Sequence, residues 1–227
     1  MDANERELIK QNTAHMLLSA EAVRFQIDPP YTYSAGGRGP IYCDNRVMLG
    51  EVGHREIITQ YLLQTIKDSE IFPYFPDVVA GVATSGIPWA AILADRLRLP
   101  HAYARPEPKA HGHAKAVEGK IGPGQRVLVI EDLINTGNSS VRAIDRIRDA
   151  GGIVDYCVAL VDYELLAATT LFSQVNIRPV ALTDFSTLVS VAREQKYLSA
   201  EQEATVRAWQ HNPTFWADQF QRGQPSP

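Results

Sequence analysis

Two adjacent carboxylates, Glu131 and Asp132, follow the apolar run Arg126-Val127-Leu128-Val129-Ile130, and the small-residue segment Thr136-Gly137-Asn138-Ser139-Ser140 comes shortly after. A segment of that kind offers backbone N–H groups, hydroxyls and the start of a helix, which together suit a phosphate dianion. The carboxylates cannot hold the same phosphate, because like charges repel. They suit the hydroxyls of a sugar, as acceptors, and positive charge developing on its ring. Acceptors for a sugar joined to a cradle for a phosphate describe a ribose 5-phosphate site. Strand-end capping would account for one acid or one serine, though not for two acids ahead of a Thr-Gly-x-Ser loop.

Two further segments carry anion chemistry. Thr84-Ser85-Gly86 follows the apolar run Asp77 to Ala83 and precedes a helical stretch, a second place for an anion at a helix start, or a plain strand-to-helix turn. Arg105, Lys109 and His111 set cationic or donor groups on one Pro- and Gly-bounded segment. Such a segment can close over a bound diphosphate and open again; a solvated surface loop has the same composition. His111 and His113 lack a further clustered ligand, so no metal site built of protein side chains is expected.

The elements that must position these groups are legible from periodicity. Leu8, Ile9, Leu17 and Leu18 mark an opening amphipathic helix over Glu5 to Leu18. The stretch from Pro29 to Pro40 is dense in turn residues and predicts an ordered loop or hairpin, with a short strand at Ile41-Tyr42-Cys43. A helix over Glu51 to Lys67 follows. Strands are expected at 77–83, 102–105, 126–130, 153–161 and 179–182, and helices at 87–97 and 140–150, with a helical stretch after each of the last two strands. Apolar strands alternating with helices give an α/β fold with a mostly parallel central sheet flanked by helices. In such sheets ligands collect at the carboxyl ends of strands, where all three segments fall.

The chain has 227 residues, 45% hydrophobic and 21% charged, enough for one α/β domain without staples. We read residues 1–220 as that domain, with 1–50 as a small N-terminal hood, 106–124 as a mobile catalytic loop, and 221–227 as a frayed tail. The net charge of −4 gives no overall cationic surface for nucleic acid. No stretch is long and apolar enough to cross a bilayer, and none follows the charged N-terminus as a signal core. Cys43 and Cys157 form no C-x-x-C pair, which fits a reducing, cytoplasmic setting.

The segment from Val127 to Ser140 resembles the PRPP (5-phosphoribosyl 1-diphosphate) motif of type I phosphoribosyltransferases, a motif that leaves the base open. The run Tyr31 to Arg46 looks like the N-terminal signature of orotate phosphoribosyltransferases. Gly81 to Pro88 looks like that family's pyrophosphate-side loop, and Arg105 to Gly112 resembles its catalytic loop, Arg-x-x-x-Lys-x-His-Gly. Val206-Arg207-Ala208-Trp209 with Asn212-Pro213 looks like its C-terminal end. These segments stand in family order and span most of the chain.

The resemblance implies the type I phosphoribosyltransferase fold and the reaction of orotate with PRPP to orotidine 5′-phosphate and pyrophosphate, in pyrimidine synthesis. It implies PRPP contacts at Thr84, Ser85, Gly86, Arg105, Lys109, His111 and Glu131 through Ser139, with Glu131 and Asp132 at the ribose and Leu133, Ile134, Asn135, Thr136, Gly137, Asn138 and Ser139 around the phosphate. Lys109 and His111 then stabilise the departing pyrophosphate. Asn135, Arg38 and the backbone at Ile41 and Tyr42 are expected at orotate, with Arg46 as a second cation, and either arginine could instead serve a surface or dimer ion pair. Mg²⁺ held mainly by PRPP and water is implied, as is a homodimer whose catalytic loop reaches the neighbouring subunit's site.

The sequence departs from the family at Ser34, where several members carry Lys, at Pro106 and Glu107, where another loop Lys is common, and at Asn135, where Thr or Ser is usual. A phosphoribosyltransferase for another base, and a PRPP-binding regulator without catalysis, are the alternatives. The roughly 20 residues ahead of the first signature are too few for the nucleic-acid-binding element a regulator would add. No fused decarboxylase domain is expected.

Overall fold

The computed structural model describes residues 1–33, 36–68, 71–105 and 116–221. The chain opens with α1 (Ala3–Ser19), started by a reciprocal cap between Asp2 and Glu5, each carboxylate accepting the other's N–H at 2.8 Å. Ile9, Thr13, Ala14, Leu17 and Leu18 recur at helical spacing and form its buried face. Four short strands follow: β1 (Val23–Phe25), β2 (Tyr31–Thr32), β3 (Arg38–Gly39) and β4 (Ile41–Cys43). β1 pairs antiparallel with β4, and β2 with β3, so the turn-rich stretch is a hairpin. Then come α2 (Val47–Gly50), α3 (Val52–Ile66), β5 (Val78–Val82), α4 (Gly86–Leu97), β6 (His101–Ala104), β7 (Val117–Glu118) and β8 (Val127–Ile134). The chain continues with α5 (Asn138–Asp149), β9 (Tyr156–Asp162), α6 (Leu166–Gln174), β10 (Arg178–Asp184), α7 (Phe185–Glu194), α8 (Ala200–His211) and α9 (Pro213–Gln221).

The main sheet has six strands in the order β10-β9-β8-β5-β6-β7, parallel except for β7. Its central strands are apolar throughout because both faces are covered, and the pleat sorts their side chains between two cores. Val79, Leu128, Ile130, Val158 and Leu160 face the core shared with α1, α3, α4, α7 and α8. Val78, Ala80, Val127, Val129, Cys157 and Ala159 face the core under α5 and α6. From β5 the chain moves outward to β6 and β7, then returns to lay β8 on the other side of β5. The crevice between the ends of β5 and β8 is therefore the point where strand order reverses, the usual place for a ligand in such a sheet.

Three expectations need correction. Residues 106–124 are not all loop, because Val117 and Glu118 pair with Ala104 and Tyr103. β8 does not stop before the acids: Glu131, Leu133 and Ile134 pair with Ala159, Val161 and Asp162 of β9, and this pairing outweighs the poor strand propensity of Glu and Asp. α5 begins at Asn138 rather than Ser140, with Gly137 at its N-cap. The tail residues 222–227, whose fraying the sequence suggested, lie outside the described residues.

Candidate active site

The acid pair sits where β8 has outrun β5. The register between them ends at Gly81 opposite Ile130, one residue before Glu131. Glu131 is 4% exposed, and its Oε2 accepts from the Ser140 hydroxyl at 2.9 Å and the Ser139 hydroxyl at 3.3 Å. Its Oε1 accepts from the Asp132 N–H at 3.1 Å. Burial pushes the Glu131 carboxyl well above the usual carboxylate range, and the Asp132 charge pushes it further. Asp132 is itself raised, by burial first, while a hydrogen bond from Glu131 works in the opposite sense. In this geometry Glu131 is engaged by the first turn of α5, and Asp132 is the more accessible of the two.

The turn from Asn135 to Ser139, expected from the sequence at the phosphate, has Asn135, Thr136, Asn138 and Ser139 exposed and Gly137 buried. Gly137 has φ +79°, and a Cβ on it would stand 3.2 Å from the Phe172 ring, so conformation and space both call for glycine. No side chain caps α5, which leaves its first N–H groups facing the turn. The Asn138 amide donates to the Thr136 hydroxyl at 3.0 Å and shapes the bend. Leu133 and Ile134 belong to β8; Ile134 is buried and its carbonyl accepts from the Tyr163 N–H at 2.9 Å. Any contact of these two with a ligand is therefore through the backbone or the partly exposed Leu133.

Thr84, Ser85 and Gly86 join β5 to α4 on the other lip of the crevice. Ser85 is the N-cap of α4 and makes no side-chain cap bond, so this helix start is open as well. A Cβ on Gly86 would lie 2.4 Å from the Ile130 carbonyl oxygen. Glycine thus lets the α4 N-terminus touch the β8 backbone one residue ahead of the acids, and the two anion cradles face one crevice.

The third lip is the end of β6. The Arg105 N–H donates to the Ala116 carbonyl at 2.9 Å, extending the β6–β7 ladder, and its guanidinium donates to Glu118 at 2.5 Å. The Arg105 carbonyl accepts from Arg146 of α5. Arg105 is therefore at the loop base, held by a carboxylate rather than directed into the crevice. Lys109 and His111, with Pro106 and Glu107, lie outside the described residues, as does Ser34.

The hood closes the remaining side. The Tyr33 hydroxyl donates to the Ile41 carbonyl at 2.6 Å, and Trp209 Nε1 of α8 donates to the Arg38 carbonyl at 3.2 Å. Trp209 is buried among Tyr163, Phe185 and Tyr33 with ring centroids 5.8 to 6.4 Å apart, which explains the C-terminal motif as an anchor for the hood. Gln26 and Asp44 N–H groups donate across the β1–β4 pair to Pro40 and Ala22. Antiparallel alternation then turns the Tyr42 N–H into β1 and leaves that of Ile41 facing away, so of the two expected donors only Ile41 is available. Arg46 is taken by Asp44, at 2.6 and 2.8 Å, while Arg38 has no side-chain partner among the described residues. Two site-shaping residues had no role assigned from sequence, Asn45, which donates to the Asp132 carbonyl at 2.7 Å, and Glu118, while Ser140, read with the phosphate segment, donates to Glu131 instead. Asn45 stands between the charged Asp44 and Arg46, and nothing local marks it as enclosed.

Two open helix starts and an acid pair stand at the switch point of a six-stranded sheet, and residues 51–163 match the phosphoribosyl transferase domain family. The chain is 40% identical to the orotate phosphoribosyltransferase of Listeria innocua over 92% of its own length and 98% of that protein's. It is 40% identical to that of Coxiella burnetii over 89% and 96%. A solved orotate phosphoribosyltransferase from Aeropyrum pernix superposes with a TM-score of 0.69 at 32% identity, over 82% of this chain and 99% of that one. The Leishmania donovani UMP synthase structure gives 0.74 at 26% identity, over 88% of this chain and 42% of that one. This chain belongs to the orotate phosphoribosyltransferase family.

Proposed function

We propose that the chain transfers the 5-phosphoribosyl group of PRPP to orotate, giving orotidine 5′-phosphate and pyrophosphate in pyrimidine nucleotide synthesis. The bond from ribose C1 to the diphosphate oxygen breaks, a bond from C1 to a ring nitrogen of orotate forms, and that nitrogen releases its proton. The observation that carries the reading is the meeting of two uncapped helix starts at the acid pair, made possible by Gly86 and Gly137. The 135–139 turn holds the 5-phosphate, Thr84, Ser85 and Gly86 hold the diphosphate, and Asp132 with Glu131 meets the ribose hydroxyls and the charge developing at C1. Asn135, Arg38 and the free Ile41 N–H line the base side.

Lys109 and His111, with Arg105 once released from Glu118, neutralise the departing diphosphate. Among the described residues no three His, Cys, Asp or Glu side chains converge on a metal position. A Mg²⁺ held mainly by PRPP oxygens and water would offset diphosphate charge. Val47, Val52 and Ile57 leave apolar surface exposed on α2 and α3, which supports a homodimer. Two free cysteines fit a cytoplasmic setting; among the described residues no helix is long and apolar enough to cross a membrane.

The test is to follow orotate's ultraviolet absorbance with PRPP and Mg²⁺, against adenine, guanine and uracil. PRPP-dependent loss confined to orotate is expected. Consumption of another base alone, or PRPP binding without turnover, would refute the assignment. Lys109→Ala should lower kcat by at least about tenfold, and full turnover in that variant would remove the loop from the mechanism.

A further inference from the structure

Two buried polar side chains outside β8 are committed to the acid pair, Ser140 of α5 and Asn45 of the hood. Asn45 is 0% exposed and follows β4 in the hood. Its Nδ2 donates to the main-chain carbonyl of Asp132 at 2.7 Å, and its Oδ1 accepts from the Cys43 thiol at 3.2 Å. A main-chain carbonyl can only accept, so the amide has one satisfactory orientation, and the thiol holds its other end. Partial burial and the nearby Asp132 and Asp44 charges push the Cys43 thiol well up, so it keeps the proton it donates.

The location of this bond gives it meaning. β5 ends at Val82 and its register with β8 stops at Ile130, while β8 runs on to Ile134 paired with β9 alone. Among the described residues, no strand pairs with β8 on its β5 side beyond that stop. Asn45 is the side chain from the hood that ties down the main chain of this extension, at the residue that presents the more accessible carboxylate. An apolar side chain of similar volume offers no donor. A carboxylate at this position would be an acceptor facing an acceptor.

We propose that Asn45 is a positioning residue for phosphoribosyl transfer: its bond to the Asp132 main chain fixes where Asp132 presents its carboxylate to the ribose. This rests on the transferase reading above and deepens it. Because Asn45 is carried by the hood segment that bears Ile41, the same bond sets the base side of the crevice against the ribose side. Its role is exerted through Asp132, without contact to substrate.

The test compares Asn45→Ala and Asn45→Ser with the unaltered protein in kcat, in KM for orotate and PRPP, and in melting followed by circular dichroism. A displacement of about 1 Å at a reacting group is worth about 100-fold in rate. Asn45→Ala should therefore lose about 10- to 100-fold in kcat, with the orotate KM within about threefold. Asn45→Ser, whose hydroxyl can still donate, should recover part of that loss. Unchanged kcat in Asn45→Ala, or equal kcat losses in the two variants that follow equal losses in Tm, would overturn the proposal.

If Asn45→Ala does not accumulate as folded protein, Cys43→Ala decides. That change removes only the donor to Oδ1, and kcat should fall a few-fold at constant orotate KM; unchanged kcat would overturn the role. An unaltered protein that consumes no orotate would overturn the transferase reading and this one together, whereas normal turnover in the protein and in its variants would overturn this one alone.

Discussion

A methyl group added at Gly86 would enter the closest contact in the site. Its Cβ would lie 2.4 Å from the Ile130 carbonyl oxygen and 3.3 Å from the Glu131 Cα. The first contact is with backbone, and it falls about 0.6 Å inside the shortest separation such pairs tolerate, so no side chain can swing aside to relieve it. Either α4 withdraws or the β8 backbone bends. Overpacking of this kind costs about 1–3 kcal/mol. For a chain of this length, that corresponds to a fall in Tm of about 2–12 °C.

The catalytic consequence should exceed the thermal one. A shift of about 0.5–1 Å moves the Thr84-Ser85-Gly86 cradle away from the acid pair, and displacements of that order are worth up to about 100-fold in rate. Gly86→Ala, assayed for PRPP-dependent orotate loss at a temperature well below its Tm, should lose about 10- to 100-fold in kcat/KM for PRPP. A variant with unaltered kcat/KM and a Tm within about 1 °C of the parent would show that the two lips are not in contact, and the account of the crevice would fail.

Three further outcomes are expected. Because the folded-state pKa of Glu131 is raised, the folded chain binds more protons than the unfolded chain above the ordinary carboxylate range. Stability from this group is fully present below that range and declines as pH rises through the raised value. Glu131→Gln should flatten that slope in urea midpoints, and an unchanged slope would count against it. Trp209→Ala should cost about 3–5 kcal/mol and raise the orotate KM, since Trp209 anchors Arg38 and the hood; a normal orotate KM in folded variant would refute the anchoring role. Glu118→Gln should free Arg105 for the diphosphate and lower the PRPP KM a few-fold, with a stability change under about 1 kcal/mol because both side chains are about 30% exposed; an unchanged KM would show that the pair does not restrain Arg105.

The sheet was legible because its central strands are covered on both faces and so read as unbroken apolar runs, as at Val78 to Val82 and Val127 to Ile130. The cradle was legible because glycine at positive φ and small hydroxyl residues announce themselves at Thr136 to Ser139. The limits of elements were harder. Glu131 and Asp132 look like a strand end, and only the partner strand β9, nearly thirty residues on, keeps them in the ladder. β7 is two residues long and carries no pattern to find. Asn45 acts on a carbonyl 87 positions away, and a hydrogen bond to main chain leaves no complementary residue type to look for. The two hood donors looked equivalent until the register divided them, with Tyr42 opposite Arg24 and its N–H spent in the ladder.

The β6–β7 ladder has one more consequence. By pairing Tyr103 with Glu118 and Ala104 with Val117, and by joining Arg105 to Ala116, it brings together the two ends of the intervening segment 106–115. The distance between Arg105 and Ala116 is thus set by the strands themselves, and the tie does not depend on what the intervening segment binds.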